Sequence, residues 1–273
     1  MARLLGIKLT SKLFGRKPNR VRRPFAGFPL SQLSKYVATL VESGRKVVVV
    51  EEFREIEGGG GAKERRVARI VTPGTGLEDA LVKSDEMSFV LALGVEDGGE
   101  VHMAYRDVST GASFTRRSTL ETLRDDLLLV APKEVVVDDE MTLHEAGRQA
   151  WEVLEGERER EGLMLSTVST RALAAPTTED STAERILLSY LSSTLVTAPP
   201  PQTTPVRLEP ARFMQMDSVT LKSLEIRESL RGGVKGSLLS TVKRTATPGG
   251  ARLLAERLCK CSPLGLPGLQ LTL

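Results

Sequence analysis

Between Leu30 and Val50 the hydrophobic pattern changes its period. Leu30, Leu33, Val37, Leu40 and Val41 recur at the spacing of one helix face, and Gly44 follows as a stop. The chain then enters Lys46 to Val50, four valines in a row after a lysine. Such a β-branched run suits a strand buried in a sheet. Gly58 to Gly61 forms a loop, and a strand from Arg66 to Val71 closes on Thr72-Pro73-Gly74-Thr75. Upstream, Pro24 and Pro29 bracket Phe25-Ala26-Gly27-Phe28, a stiff apolar loop in which Gly27 permits a turn or a close approach. Leu4 to Ile7 is a short apolar run that Lys8-Leu9-Thr10 extends as a strand. The whole reads as a small α+β unit.

Net charge is only +3 over 273 residues, so the distribution matters more than the sum. Arg3, Lys8, Lys12, Arg16, Lys17, Arg20, Arg22 and Arg23 all precede the first acid, Glu42. A basic arm of this kind fits a phosphate-binding surface, a mitochondrial presequence or a solvated face. No apolar run approaches the ~20 residues of a membrane span, so no membrane partner is expected. Cys259 and Cys261, with only His102 and His144 for company, cannot assemble a tetrahedral zinc site, and inert thiols in a reducing compartment are expected.

A second unit opens near Ser88 with strands over Phe89–Leu93, Glu100–Val108 and Ala112–Thr115, turning at Gly111. Ser118 with Glu121 has the form of a capping box for the next helix, and Glu134–Val137 adds a strand. This order fits a three-layer α/β domain with a charged outer helix over Leu143–Glu161. Residues 163–180 read as a Ser/Thr/Ala-rich linker. A helical part follows: a capping box at Ser181 and Glu184, a break at Pro199-Pro200-Pro201, a hairpin or a helix within Phe213–Ile226, and helices from Ser237 and Gly249.

Taken in order, the segments resemble the MutS family of DNA mismatch-recognition proteins. The resemblance rests on the Arg3 to Thr10 run, on Ala26-Gly27-Phe28-Pro29 with the Leu33 to Val41 helix, and on Val50-Glu51-Glu52-Phe53. It continues through Arg65 to Thr75, Asp107 to Gly111, Met216-Asp217, Leu224-Glu225-Ile226, Ser229 to Gly232, Lys235 to Leu239, Arg244-Thr245 and Arg252-Leu253-Leu254. It implies an α/β multidomain chain: a partial α+β mismatch-binding domain over 1–76, an RNase H-like connector over 85–162, a linker over 163–180, and the start of a mostly helical core over 181–261. Residues 262–273 leave the pattern. Glu51-Glu52-Phe53 looks like the fungal mitochondrial branch, which implies a mitochondrial location, with the nucleus as the alternative.

The resemblance also frames what is missing. The family's Phe-x-Glu motif lies upstream of the position matching residue 1, and Phe53-Arg54-Glu55 reads as a chance match. The ATPase domain of full-length members, with its ATP and magnesium, has no counterpart, and Gly232 to Ser237 lacks phosphate-loop spacing. The chain is therefore expected to be truncated and non-enzymatic, with no cofactor of its own.

Phe25, Ala26 and Gly27 match the family's loop beside the mismatch, where apolar groups at a base step pay least to unstack a mispaired one. A packed core turn burying Phe25 and Phe28 is the alternative. Arg65, Arg66 and Ser31 are candidates for phosphate contacts, with only one of the two arginines facing DNA because strand neighbours point oppositely. The free N–H groups of a helix beginning at Leu30 are a further candidate. Asp97, Asp107, Asp138 and Asp139 invite a nuclease reading, but Phe89–Leu93 carries no acid to complete a metal site. Trp151, Met214 and Met216 read as packing. The expected function is non-catalytic binding of distorted double-stranded DNA, with a MutL-type protein and a MutS-type second copy as implied partners. The alternative is an incomplete gene product, or an adaptor for a full-length homologue, without DNA recognition of its own.

Overall fold

Val90-Leu91-Ala92-Leu93-Gly94 alternates large and small side chains, and that alternation organises the largest body of the protein. It lies on β5 (Phe89–Val95), the centre of a mixed sheet. In the computed structural model, residues 1–15, 18–54, 63–76, 88–96, 98–169, 181–195, 204–207, 216 and 218–259 are described. β5 pairs antiparallel with β6 (Glu100–Asp107), and β6 with β7 (Ser113–Thr119). On the other side it pairs parallel with β8 (Glu134–Asp138), which pairs parallel with β9 (Met164–Val168). A two-residue strand, β10 (Val206–Arg207), lies parallel to β7 at the far edge, giving the order β10-β7-β6-β5-β8-β9.

The two faces are covered differently. Leu91, Leu93, Met103, Tyr105, Val135 and Val137 face α2 (Leu123–Val130) and α3 (Glu145–Glu161), with Trp151 packed at the margin. Val90, Ala92, Ala104 and Val136 face α4 (Thr182–Thr194). These small residues let α4 come close. A Cβ on Gly94 would lie 2.9 Å from the Ala183 nitrogen, so the first turn of α4 sits directly on that glycine. The α4 face is Ala183, Ile186, Leu187, Tyr190 and Leu191, at helical spacing, and its start carries the expected capping box of Ser181 and Glu184.

Several expectations change here. The stretch read as a linker contains β9, whose Ser166 is buried in the sheet. The helix read as the start of the helical part is the third layer of the sheet domain, because its apolar stripe packs on Val90, Ala92, Ala104 and Val136 of the sheet. Ser118 does not open a helix: it is paired on β7 with Val101, and its hydroxyl donates to Asp126 at 2.5 Å. α2 starts at Leu123, after Thr122. α3 starts at Glu145 after a 3-10 turn at Met141–Leu143, and the His144 ring caps it, accepting from the Gly147 N–H at 3.1 Å.

The N-terminal region holds two two-stranded sheets. The strand expected to extend Leu4–Ile7 begins instead at Thr10: residues 2–6 form turns, β1 runs Thr10–Phe14 and pairs antiparallel with β2 (Val21–Phe25). Pro24 thus sits inside a strand, tolerated because β2 has a free edge that needs no donor. A 3-10 turn, Leu30–Gln32, precedes α1 (Leu33–Glu42), so the helix begins three residues after Leu30. β3 (Val47–Arg54) and β4 (Lys63–Val71) pair antiparallel, and Val37 and Val41 of α1 pack on Val47, Val49 and Val71. The valine run is not a buried strand. Val48 and Val50 are 52% and 51% exposed, because a two-stranded sheet with one helix has only one covered face.

α5 (Ser218–Ser223) settles the hairpin-or-helix alternative as a helix, followed by α6 (Leu238–Val242) capped by Ser237 and α7 (Pro248–Cys259). Arg227 joins this part to α2, donating to the Leu129 carbonyl at 3.3 Å and to Cys259 Sγ at 2.9 Å. No described helix is long and apolar enough to cross a membrane. Gly58 to Gly61, Asp97, Pro199 to Pro201, Phe213, Met214, Cys261 and residues 262–273 lie outside the described residues.

Candidate nucleic-acid interface

β1 and β2 pair antiparallel, and every residue of the two strands is exposed. Its register pairs Thr10 with Phe25, Lys12 with Arg23 and Phe14 with Val21, so these six side chains share one face. On that face the Phe25 ring is held from three sides. The Lys12 ammonium stands 5.3 Å over its centre, and the Phe14 ring is 6.5 Å away. A Cβ on Gly27 would lie 3.3 Å from the Phe25 ring edge, so the ring folds over that glycine. Phe25 remains 40% exposed, which removes it from any core. Phe28 is exposed to a similar degree, but its ring lies tilted against Tyr36 with the centroids 4.4 Å apart, tying the loop to α1. Ala26 is half-buried, and Ser31 is exposed within the 3-10 turn.

Arg65 and Arg66 stand on β4, in a different sheet from Phe25 to Gly27. Their guanidiniums point to opposite faces. Arg65 opposes Glu52 across the strands, 3.6 Å apart, with its side chain 75% exposed. Arg66 bonds Glu64 two residues earlier at 2.6 Å, 62% exposed, and this bond holds the Glu64 carboxyl below its ordinary value. A bulge between Val49 and Val50 sets this arrangement, leaving Val50 and Val67 together on the exposed face with Arg65. Exposed pairs of this kind contribute little to stability, so a phosphate can displace the carboxylate.

Other candidate chemistry is used locally. Asp107 Oδ1 accepts from the Ser109 N–H at 2.8 Å, the Ser109 hydroxyl at 2.6 Å and the Thr110 N–H at 3.3 Å, which makes it the cap of its own turn. It belongs to no group of three metal-ligating side chains among the described residues. Glu96, Glu100 and His102 do converge at the β5–β6 turn, with His102 Nε2 3.1 Å from Glu96 and the Arg117 guanidinium 3.1 Å from Glu100. That arginine fills the carboxylate side of the cluster with a cation of the protein's own. Gly232, Gly233 and Gly236 adopt positive φ in turns that lead to a five-residue helix, and α5 rather than a strand precedes them, unlike a phosphate loop.

Sequence reasoning missed Lys12 and Phe14 as partners of Phe25. The signal was present as the period-two spacing Thr10, Lys12, Phe14. It also missed Glu134, a lone acid heading an otherwise apolar strand, which is fully buried.

Residues 1–80 match the model for MutS domain I, and residues 219–264 that for MutS domain III. The chain is 32% identical over 254 residues to the DNA mismatch repair protein MutS of Ruegeria pomeroyi, an alignment covering 86% of this chain and 29% of that protein. It is 29% identical over 288 residues to the protein of the same name from Bartonella henselae, covering 97% of this chain and 31% of the other. The chain thus spans about a third of the length of the curated relatives it matches. The ordered similarity, extending beyond both matched domains, settles membership: the chain belongs to the MutS family.

Proposed function

We propose that this chain binds distorted double-stranded DNA in mismatch repair, through the β1–β2 face and one arginine of β4, without chemistry of its own. The observation that carries this reading is the Phe25 site: an exposed ring, braced by Gly27 and Phe14, under the Lys12 ammonium. A braced apolar group beside cations is what contact with an opened base step needs. The sheet with β7-β6-β5 antiparallel and β8, β9 parallel supports the RNase H-like reading of the connector, and that fold serves without catalysis. A MutL-type protein and a second MutS-type chain are the proposed partners. Phosphate contacts fix register but carry no base information, so binding is weak, steeply salt-dependent and nearly indifferent to a mismatch.

Fluorescence anisotropy with matched and G·T duplexes at several salt concentrations tests this. Replacing Arg65 and Arg66 together with alanine lowers affinity for both duplexes alike. Because the two face oppositely, the log–log salt slope falls by about 0.9, the value of one phosphate contact, rather than twice that. An unchanged slope removes these arginines from the interface, and a strong G·T preference in the parent chain refutes the proposed mode.

A further inference from the structure

Glu134 is fully buried at the start of β8, yet it is among the best-bonded side chains in the protein. Its Oε2 accepts from the Thr72 hydroxyl at 2.5 Å and the Gly74 N–H at 3.3 Å. Its Oε1 accepts from the Ser166 hydroxyl and from the Tyr190 hydroxyl, the latter at 2.5 Å. No ion pair to it occurs among the described residues, so four donors do the work that a cation does for other buried carboxylates. The donors come from different places. Ser166 and Tyr190 belong to β9 and α4, within the same three-layer domain as Glu134 itself. Thr72 and Gly74 belong to the turn immediately after β4, in the N-terminal unit.

That turn is built to present its donors. The Thr75 hydroxyl lies 2.7 Å from the Thr72 hydroxyl and accepts the Thr72 N–H at 3.2 Å. Nearby, Lys46, just before β3, places its ammonium 5.4 Å over the Tyr190 ring. We infer that Glu134 is a positioning residue for the DNA-facing unit: its Oε2 fixes how β4 sits on the connector sheet. This inference rests on the DNA-binding reading. The asymmetry of the carboxylate makes it testable, since one oxygen serves the joint between the units and the other serves the connector's own layers.

The substitutions follow from the donor count. Thr72→Val keeps shape and deletes one donor across the joint. Glu134→Leu removes both acceptor oxygens and leaves the Gly74 N–H without its partner, whereas Glu134→Gln is the conservative control: its amide nitrogen can face the Ser166 and Tyr190 hydroxyls, which turn to accept, while its oxygen keeps the Thr72 and Gly74 donors. Ser166→Ala removes a donor inside the connector and leaves the joint intact. Nitroxide labels at Ser43→Cys in the N-terminal unit and Gln149→Cys on α3, both exposed, report the joint by pulsed EPR in a Cys259→Ala, Cys261→Ala chain.

Thr72→Val and Glu134→Leu broaden the inter-label distance distribution, while Glu134→Gln leaves its width unchanged, as does Ser166→Ala though that chain melts earlier. Thr72→Val also weakens duplex binding by about three- to tenfold, as expected for one lost hydrogen bond spent on pre-ordering. Unbroadened distances in Thr72→Val and Glu134→Leu, or equal broadening in Ser166→Ala or Glu134→Gln, overturn the inference, and so does a broadened Thr72→Val chain with unaltered affinity. If the parent chain binds no duplex, the DNA reading fails, and the EPR widths alone decide whether Glu134 fixes the joint.

Discussion

Gly74 offers the sharpest energetic test of how the N-terminal unit is seated. Its φ is ordinary, so alanine there meets no backbone strain, and the cost in the folded state is steric. A Cβ would stand 2.5 Å from Val90 Cγ2, 3.0 Å from Glu134 Cβ and 3.1 Å from Glu134 Oε2. Val90 is fully buried beneath α4 and has nowhere to retreat. Forced overpacking of this kind costs about 1–3 kcal/mol, against about 0.4–1 kcal/mol returned by the stiffer unfolded chain. Gly74→Ala is therefore expected to destabilise by about 1–2 kcal/mol. Val90→Ala alone removes two methyl groups, about 1.6 kcal/mol of transfer free energy before any cavity cost. In the double variant the new methyl occupies the space the valine left. Urea unfolding followed by circular dichroism should show Gly74→Ala neutral or stabilising in the Val90→Ala background, a coupling of about 1–2 kcal/mol. Additivity within about 0.5 kcal/mol would refute the contact and, with it, the seating of the Thr72–Thr75 turn against β5.

Ser181→Ala removes the capping box of α4, whose hydroxyl accepts from the Glu184 N–H at 3.3 Å; a loss of about 1 kcal/mol is expected in thermal melts, and none at all would place the cap outside the folding unit. Tyr190 carries a pH signature. Burial first, and then the Glu134 charge, raise its hydroxyl above the ordinary 10.0. Above pH 10 the unfolded chain releases this proton while the native chain keeps it, so stability falls as pH rises, by up to about 1.4 kcal/mol per unit. Tyr190→Phe should flatten that part of the decline between pH 9 and 11 in urea titrations, and an equally steep fall in the variant would refute the assignment.

What was legible in the sequence was whatever local periodicity decides. The Phe89–Leu93 strand, the turn at Gly111, the cap at Ser181 and the α1 stripe each follow from residues a few positions apart. What was illegible depended on a partner far along the chain. Four consecutive valines cannot say whether a second layer will cover them; among the described residues α1 covers the Val47 and Val49 face alone, and Val48 and Val50 are left exposed. Ser118 and Glu121 have capping spacing, yet pairing with Val101 on β6 claimed the serine for a strand. α4 was legible as a helix from its capping box, but the target of its apolar face is the small-residue side of β5 and β6, and nothing in its own residues names that surface. At the candidate interface, Phe25 and Gly27 were readable as a stiff apolar turn. The cation over the ring was not, because Lys12 reaches it only through the β1–β2 register.

The contrast between the two ends of the N-terminal unit bears on what kind of recognition it supports. At the Thr72–Thr75 turn the unit is anchored by buried hydrogen bonds. At the β1–β2 pair neither strand has a buried residue, and a lone two-stranded hairpin is marginal in water. Its order rests on contacts of the Lys12–Phe25 and Phe14–Phe25 type, each contributing about 0.5–1.5 kcal/mol. Attraction between cations and phosphates acts over about a Debye length and needs no fixed shape. Sensing a weakened base step does need one, because the wedge must bear a load of a few kcal/mol without yielding. A surface whose aromatic end yields at about 1 kcal/mol can gather DNA by charge, yet it cannot by itself press hard enough on a base pair to tell a mismatch from a match. Stiffening the hairpin should therefore raise discrimination more than affinity, whereas adding cations to it should do the reverse.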